Sequence, residues 1–86
     1  MPFTTYIIYS QILDRYYIGS TENIEKRLER HIKGNGSTYT KKAKDWVLKW
    51  QCNFETRTEA TSFELLIKKK KSRKYIEYLI LTDKKA

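Results

Sequence analysis

The sequence is poor in the residues that clamp small proteins together. It holds one cysteine, Cys52, so no disulfide can form within the chain. It holds one histidine, His31, and one Cys with one His falls short of the four ligands of an ordinary structural zinc site. One proline and three glycines leave no Gly/Ser linker, and the 86 residues read as a single domain, 1–86. No apolar run approaches the roughly 20 residues of a membrane span. The N-terminus, Met1-Pro2-Phe3-Thr4-Thr5, lacks the charged start of a secretory signal. Acidic side chains are also scarce, 10 against 18 Lys and Arg, for a formal net charge of +8. These absences predict a soluble, cytoplasmic chain with no membrane association. Its surplus charge suits a phosphate-rich partner.

What is present excludes a disordered basic tail. Hydrophobic residues make up 40% and aromatic residues 14% of the chain. Tyr6-Ile7-Ile8-Tyr9 and Tyr16-Tyr17-Ile18-Gly19 are β-favouring runs around a polar interruption with Asp14 and Arg15. They predict a hairpin with a loop of about five residues near Gln11 to Arg15. Residues 22–33 read as a helix with Ser20 or Thr21 as N-cap, Glu22 and Glu25 in the first turn and Gly34 as the stop. Residues 34–45 read as an exposed loop, and 46–52 as a third strand. Thr56 and Glu59 form a capping box that opens a helix over 57–70. Ser72 caps a third helix carrying Tyr75, Ile76, Leu79 and Ile80. The order β-β-α-β-α-α predicts an α+β fold, a small three-stranded antiparallel sheet flanked by three helices.

Ionisable residues interrupt the apolar stripes. In the first helix the buried stripe should include Ile24, Leu28 and Ile32, yet the i, i+3, i+4, i+7 template from Ile24 selects Arg27 and His31 as well. From Ala60 the same template selects Phe63, Glu64 and Ile67, with Lys68 next on that side. A charge on an inward face is costly without a partner. Two readings stand open: Arg27 and Glu64 pin two helices as a salt bridge or snorkel to solvent, or these residues form a site. Along the strands, Tyr6 and Ile8 share one face while Tyr17 shares a face with Gly19. Gly19 removes a side chain where the strand runs into a helix, leaving room for a backbone or a ligand.

Together these pieces resemble the GIY-YIG nuclease superfamily. Tyr17-Ile18-Gly19 matches the second half of its name, and Tyr6 stands eleven positions earlier, preceded by Thr4-Thr5 where the name has Gly-Ile. Arg27-x-x-x-His31 is similar to the family's Arg-x-x-x-His helix, and Phe63-Glu64 to the helix with its metal-binding glutamate. The likeness is closest to small stand-alone bacterial members related to the N-terminal nuclease module of the excision-repair endonuclease.

The resemblance implies a metal-dependent phosphodiesterase acting on nucleic acid, DNA above all, in repair or processing. It makes Glu64 the ligand of Mg2+ or Mn2+. Tyr17 or Tyr6 would orient or deprotonate the attacking water, with nearby cations helping a group whose ordinary pKa is near 10. Arg27 would neutralise charge on the phosphate, and His31 would carry a proton or contact phosphate. The five residues are expected to converge on one shallow cleft, with Arg27 and Glu64 facing each other across the sheet. Lys41, Lys42, Lys68, Lys69, Lys70, Lys71 and Arg73 are candidate phosphate contacts, or else a solvated basic surface. Trp46 and Trp50 either stack bases or pack. The rival to the enzyme is a non-catalytic nucleic-acid-binding module of the same fold, and a protein-interaction domain is a third reading.

Overall fold

Strand β1, Phe3–Ser10, takes the centre of the sheet because its Ile- and Tyr-rich run can be buried on both faces. In the computed structural model, which describes residues 3–33, 42–70 and 72–82, every residue from Thr4 to Ile8 is buried. β2, Arg15–Thr21, pairs antiparallel on one side, with Tyr6 opposite Gly19 and Ile8 opposite Tyr17. β3, Val47–Phe54, pairs antiparallel on the other, with a register shift between Ile7 and Ile8. Helices α1, Ile24–Ile32, α2, Arg57–Lys70, and α3, Arg73–Thr82, complete the predicted β-β-α-β-α-α order.

Side-chain alternation along β1 divides the core in two. Tyr6 and Ile8 pack with Trp46, Leu28 and Ile24 beneath α1. Ile7 packs with Ile18, Trp50, Ile67 and Ile76 beneath α2 and α3. Both tryptophans are therefore core residues rather than exposed stacking platforms. The threonines that stand where the family name has Gly-Ile are structural: Thr4 Oγ1 donates to Asn53 Oδ1 at 2.8 Å, and Thr5 Oγ1 to the Ala60 carbonyl at 2.7 Å, tying α2 to the central strand.

Four local expectations are corrected. Ser20 and Thr21 do not cap α1, because both remain in the β1–β2 ladder opposite Thr5 and Thr4. Asn23 caps instead, its side chain accepting from the Lys26 amide at 3.1 Å, so the helix starts two residues later. Ile32 is 44% exposed while His31 is buried, so the histidine and not the isoleucine completes the inward stripe. The third strand runs over 47–54 rather than 46–52. In the segment read as an exposed loop, residues 34–41 lie outside those described, but Ala43 is buried. There Asp45 reaches back to the hairpin, accepting from Ser10 Oγ at 2.6 Å and the Ile12 amide at 3.0 Å. The caps of the other two helices stand as read, with Thr56 Oγ1 accepting from the Glu59 amide and Ser72 Oγ from the Tyr75 amide, each at 3.2 Å.

Arg73 has a structural occupation. Its guanidinium donates to Asp14 Oδ1 at 2.8 Å, the Asp14 carbonyl at 3.3 Å and Glu77 Oε2 at 3.1 Å, with its carbon 5.3 Å from the Tyr16 ring centroid. Tyr9 donates its hydroxyl to the same Asp14 oxygen. Asp14 sits at φ 54°, a left-handed turn position that Asp tolerates. The arginine thus staples α3 to the hairpin turn. Its charge and the Tyr9 hydroxyl hold the Asp14 carboxyl down at about 2, against an ordinary 3.8. A depressed carboxyl contributes stability fully above the unfolded value and loses it as pH falls through the folded one. The gap in melting temperature between the parent and Arg73→Ala should therefore be widest at neutral pH and close between about pH 4 and 2. A gap that stays constant to pH 2 would remove Asp14 from the staple.

Candidate active site

The site forms at the free edge of β2, where α1 comes over one face of the sheet and α2 lies under the other. Tyr6 and His31 lie on the α1 side. Tyr6 is 0% exposed and His31 1%, and the Tyr6 hydroxyl and His31 Nε2 share a hydrogen bond of 3.1 Å. The Tyr17 ring packs edge-on to His31, centroids 5.3 Å apart. Burial pushes the Tyr6 phenol up to about 12, with the Arg27 cation partly opposing it. The phenol is therefore protonated at neutral pH. Burial also lowers His31, and the charges of Arg27 and Arg30 lower it further. A histidine with a depressed folded pKa makes the fold less stable as pH falls below the ordinary 6.5.

Glu64 comes from α2 on the opposite face. Its side chain is 15% exposed and engaged at both oxygens: Ser20 Oγ donates to Oε1 at 2.7 Å, and Lys68 Nζ to Oε2 at 2.7 Å. Lys68 also reaches round the strand edge, its ammonium 5.9 Å from the Tyr17 ring centroid. Ser20 and Arg27 line a common cavity, and the charges of Arg27 and Glu64 are both felt at the Tyr6 hydroxyl. Tyr6 and Tyr17 both touch His31, Arg27 stands near the Tyr6 hydroxyl, and Glu64 lies round the strand edge on the other face. Arg27 and Glu64 arrive from opposite faces, and the acid's direct partners are Ser20 and Lys68 rather than Arg27.

Sequence reasoning assigned neither partner to Glu64. Lys68 was visible as the i+4 neighbour of Glu64, a pairing distance on a helix. Ser20 was visible through alternation, which turns it to the face opposite Gly19 and so toward α2. Of the basic candidates, Lys42, Lys69 and Lys70 are exposed, and Lys70 Nζ lies 5.3 Å from the Tyr75 ring centroid. Lys41 and Lys71 lie outside the described residues. Arg73 stands apart from the Tyr6–Glu64 cluster in its staple.

Comparison with known proteins settles the family. The pattern of the GIY-YIG catalytic domain matches residues 2–76. The chain belongs to the GIY-YIG family. A UPF0213 protein of Lactococcus lactis is 35% identical, the match covering 96% of this chain and 92% of that protein. A UPF0213 protein of Streptococcus pneumoniae serotype 4 is 38% identical over 74% of this chain, which spans 65% of the relative's length. The solution NMR structure of a UPF0213 protein from Bacillus halodurans superposes with a TM-score of 0.60 at 26% identity, covering 96% of this chain and 86% of that one. GIY-YIG proteins form a nuclease superfamily, and its members generally use a divalent metal.

The donor set here suits such an ion. Among the described residues no three His, Cys, Asp or Glu side chains cluster, which disfavours a closed all-protein cage. Glu64 offers one carboxylate beside a serine hydroxyl, and a cationic ammonium already stands against it. One carboxylate with water and phosphate oxygens is the usual environment of Mg2+ or Mn2+ at a phosphoryl site. Among the described residues no helix is long and apolar enough to cross a membrane.

Proposed function

We propose that this chain is a divalent-metal-dependent endonuclease that hydrolyses phosphodiester bonds in DNA, acting as a single catalytic domain in cytoplasmic repair or processing. The observation that carries this reading is the gathering of Tyr17, Arg27 and Glu64 at one strand edge of a chain with net charge +8. Glu64 is the residue that would hold Mg2+ or Mn2+. When bound, the ion supplies positive charge to the phosphoryl and leaving oxygens.

In the reaction a water oxygen bonds to phosphorus, one P–O ester bond breaks, and a proton from the water ends on the departing hydroxyl. Arg27 presents its planar fork to the non-bridging oxygens as they gain charge. Tyr17, half-buried, orients the water or accepts its proton. Tyr6 is too buried and too firmly protonated for that step. With His31 it acts as a positioning residue behind Tyr17. Exposed Lys42, Lys69 and Lys70 track the backbone without reading bases.

The test is incubation with duplex, flap, branched and single-stranded DNA and with RNA, with Mg2+, with Mn2+ and with chelator. Strand cleavage that needs the metal is the expected result. Tight binding to every substrate with cleavage of none would make the chain a non-catalytic binding module.

A further inference from the structure

Next to the Glu64 site lies a cavity of about 140 Å3 that the reaction above does not use in full. It opens between the end of β2 and the first turns of α2, and Arg27 forms one wall. Its polar lining is Ser20, Thr21, Thr61, Glu22, Arg27 and Arg57. The volume is well below the roughly 300–1,000 Å3 of sites that enclose whole small molecules. It admits a small, oxygen-rich anion. With Arg27 engaged on the neighbouring phosphate, displacement of Glu22 from Arg57 leaves one guanidinium charge to meet the single negative charge of a phosphodiester. The Thr61 hydroxyl can donate to its oxygens, while those of Ser20 and Thr21 already donate to Glu64 Oε1 and the Asn23 carbonyl.

We propose that this cavity is a second phosphate subsite. It takes the phosphate adjacent, along the same strand, to the one held at Arg27 and Glu64, and Arg57 is its principal contact. The proposal rests on the nucleic-acid reading above and extends it. Ser20 joins the two positions, since it lines the cavity and donates its hydroxyl to Glu64 at 2.7 Å. Arg57 is held for the role from two sides. Its guanidinium carbon lies 5.5 Å from the Phe3 ring centroid, and Nη2 donates to Glu22 Oε2 at 3.2 Å. Side chains of Arg57 and Glu22 are 72% and 62% exposed, so the pair adds little to stability and opens readily. Glu22 thereby acts as a stand-in anion: it occupies Arg57 until a strand phosphate replaces it, and its own charge then opposes that phosphate.

The arrangement predicts opposite signs for the two partners. DNA binding is measured by fluorescence anisotropy in chelator, where no cutting occurs, over a series of salt concentrations. Arg57→Gln should weaken binding several-fold and make the logarithmic salt slope shallower by about one. Glu22→Gln should tighten binding. Arg57→Lys keeps the charge without the fork and should keep the slope while losing part of the affinity. Lys33→Gln and Glu29→Gln, which break the exposed Lys33–Glu29 pair elsewhere on the surface, provide the same charge changes away from the cavity and should leave the slope as in the parent. Titration with inorganic phosphate separates the sources of the anion: a strand subsite competes weakly with it, whereas a free-phosphate site is displaced at low concentration. If Arg57 and Glu22 matter only as an ion pair, both substitutions shift binding in the same direction, and the subsite is refuted. An unchanged slope in Arg57→Gln refutes it equally. In either case parent binding and metal-dependent cleavage persist, so the nuclease reading stands. A parent that binds no nucleic acid at all overturns both.

Discussion

Glu64→Gln is expected to lower DNA cleavage by several orders of magnitude while leaving the fold and DNA binding in place. The amide keeps the shape of the carboxylate and its capacity to accept from Ser20, but it loses the charge and one acceptor oxygen. Stabilisation of phosphoryl charge by a bound metal is worth several kcal/mol, and each ~1.4 kcal/mol is tenfold in rate. The cost in stability is small because the ion-pair partner is Lys68, 45% exposed, whose ammonium can turn to water when the charge across from it is gone. Removing a negative charge beside a phosphate site should hold DNA affinity level or raise it. Thermal melting, anisotropy in chelator and cleavage with Mg2+, all on one preparation, check these outcomes. A variant that melts far below the parent would mean that Glu64 is a structural anchor. A variant that still cuts at the parent's rate would remove it from the site.

The same residue shows how far the sequence could be read. A period of 3.6 placed Glu64 beside Ala60 and Ile67, and both of those are buried. It likewise placed His31 on the inward stripe of α1, against the stronger hydrophobicity of Ile32. These are local signals, set by helix geometry and carried by spacing alone. Arg73 illustrates the opposite case. A basic run reads as a phosphate footprint, yet its partner Asp14 is 59 residues distant, and no spacing rule connects them. Asp45 was hidden for the same reason, since it serves Ser10 and Ile12 across 35 and 33 residues. The misplaced cap of α1 has a different cause. Ser20 and Thr21 are good caps by type, but the ladder with β1 holds their backbone extended, and sheet pairing overrides the local preference.

Strand pairing also fixes the steric heart of the site, and Gly19→Ala tests it. Gly19 lies opposite Tyr6 across the β1–β2 ladder. A Cβ added at Gly19 would stand 2.5 Å from the Tyr6 hydroxyl oxygen, 2.8 Å from Cζ and 3.2 Å from Cε2. The glycine is therefore present for space. Those atoms are the tip of a side chain, which elsewhere would swing aside, but Tyr6 is 0% exposed and its hydroxyl is bonded to a histidine that is itself 1% exposed. The ring can move only by disturbing His31, which packs on Tyr17. Overpacking of this kind typically costs about 1–3 kcal/mol. For a chain of 86 residues that is a drop in melting temperature of several degrees per ~1 kcal/mol. Cleavage should fall more steeply than stability, since displacement of Tyr6 and His31 tilts the phenol that faces the water. Tyr6→Phe removes the closest atom of the clash. In a double-mutant cycle the pair Gly19→Ala and Tyr6→Phe should therefore be less damaging than the sum of the two single changes, by more than ~0.5 kcal/mol. If glycine were needed there only for chain flexibility, the two effects would add. Additive losses, with activity falling no faster than stability, would separate Gly19 from the positioning of Tyr17.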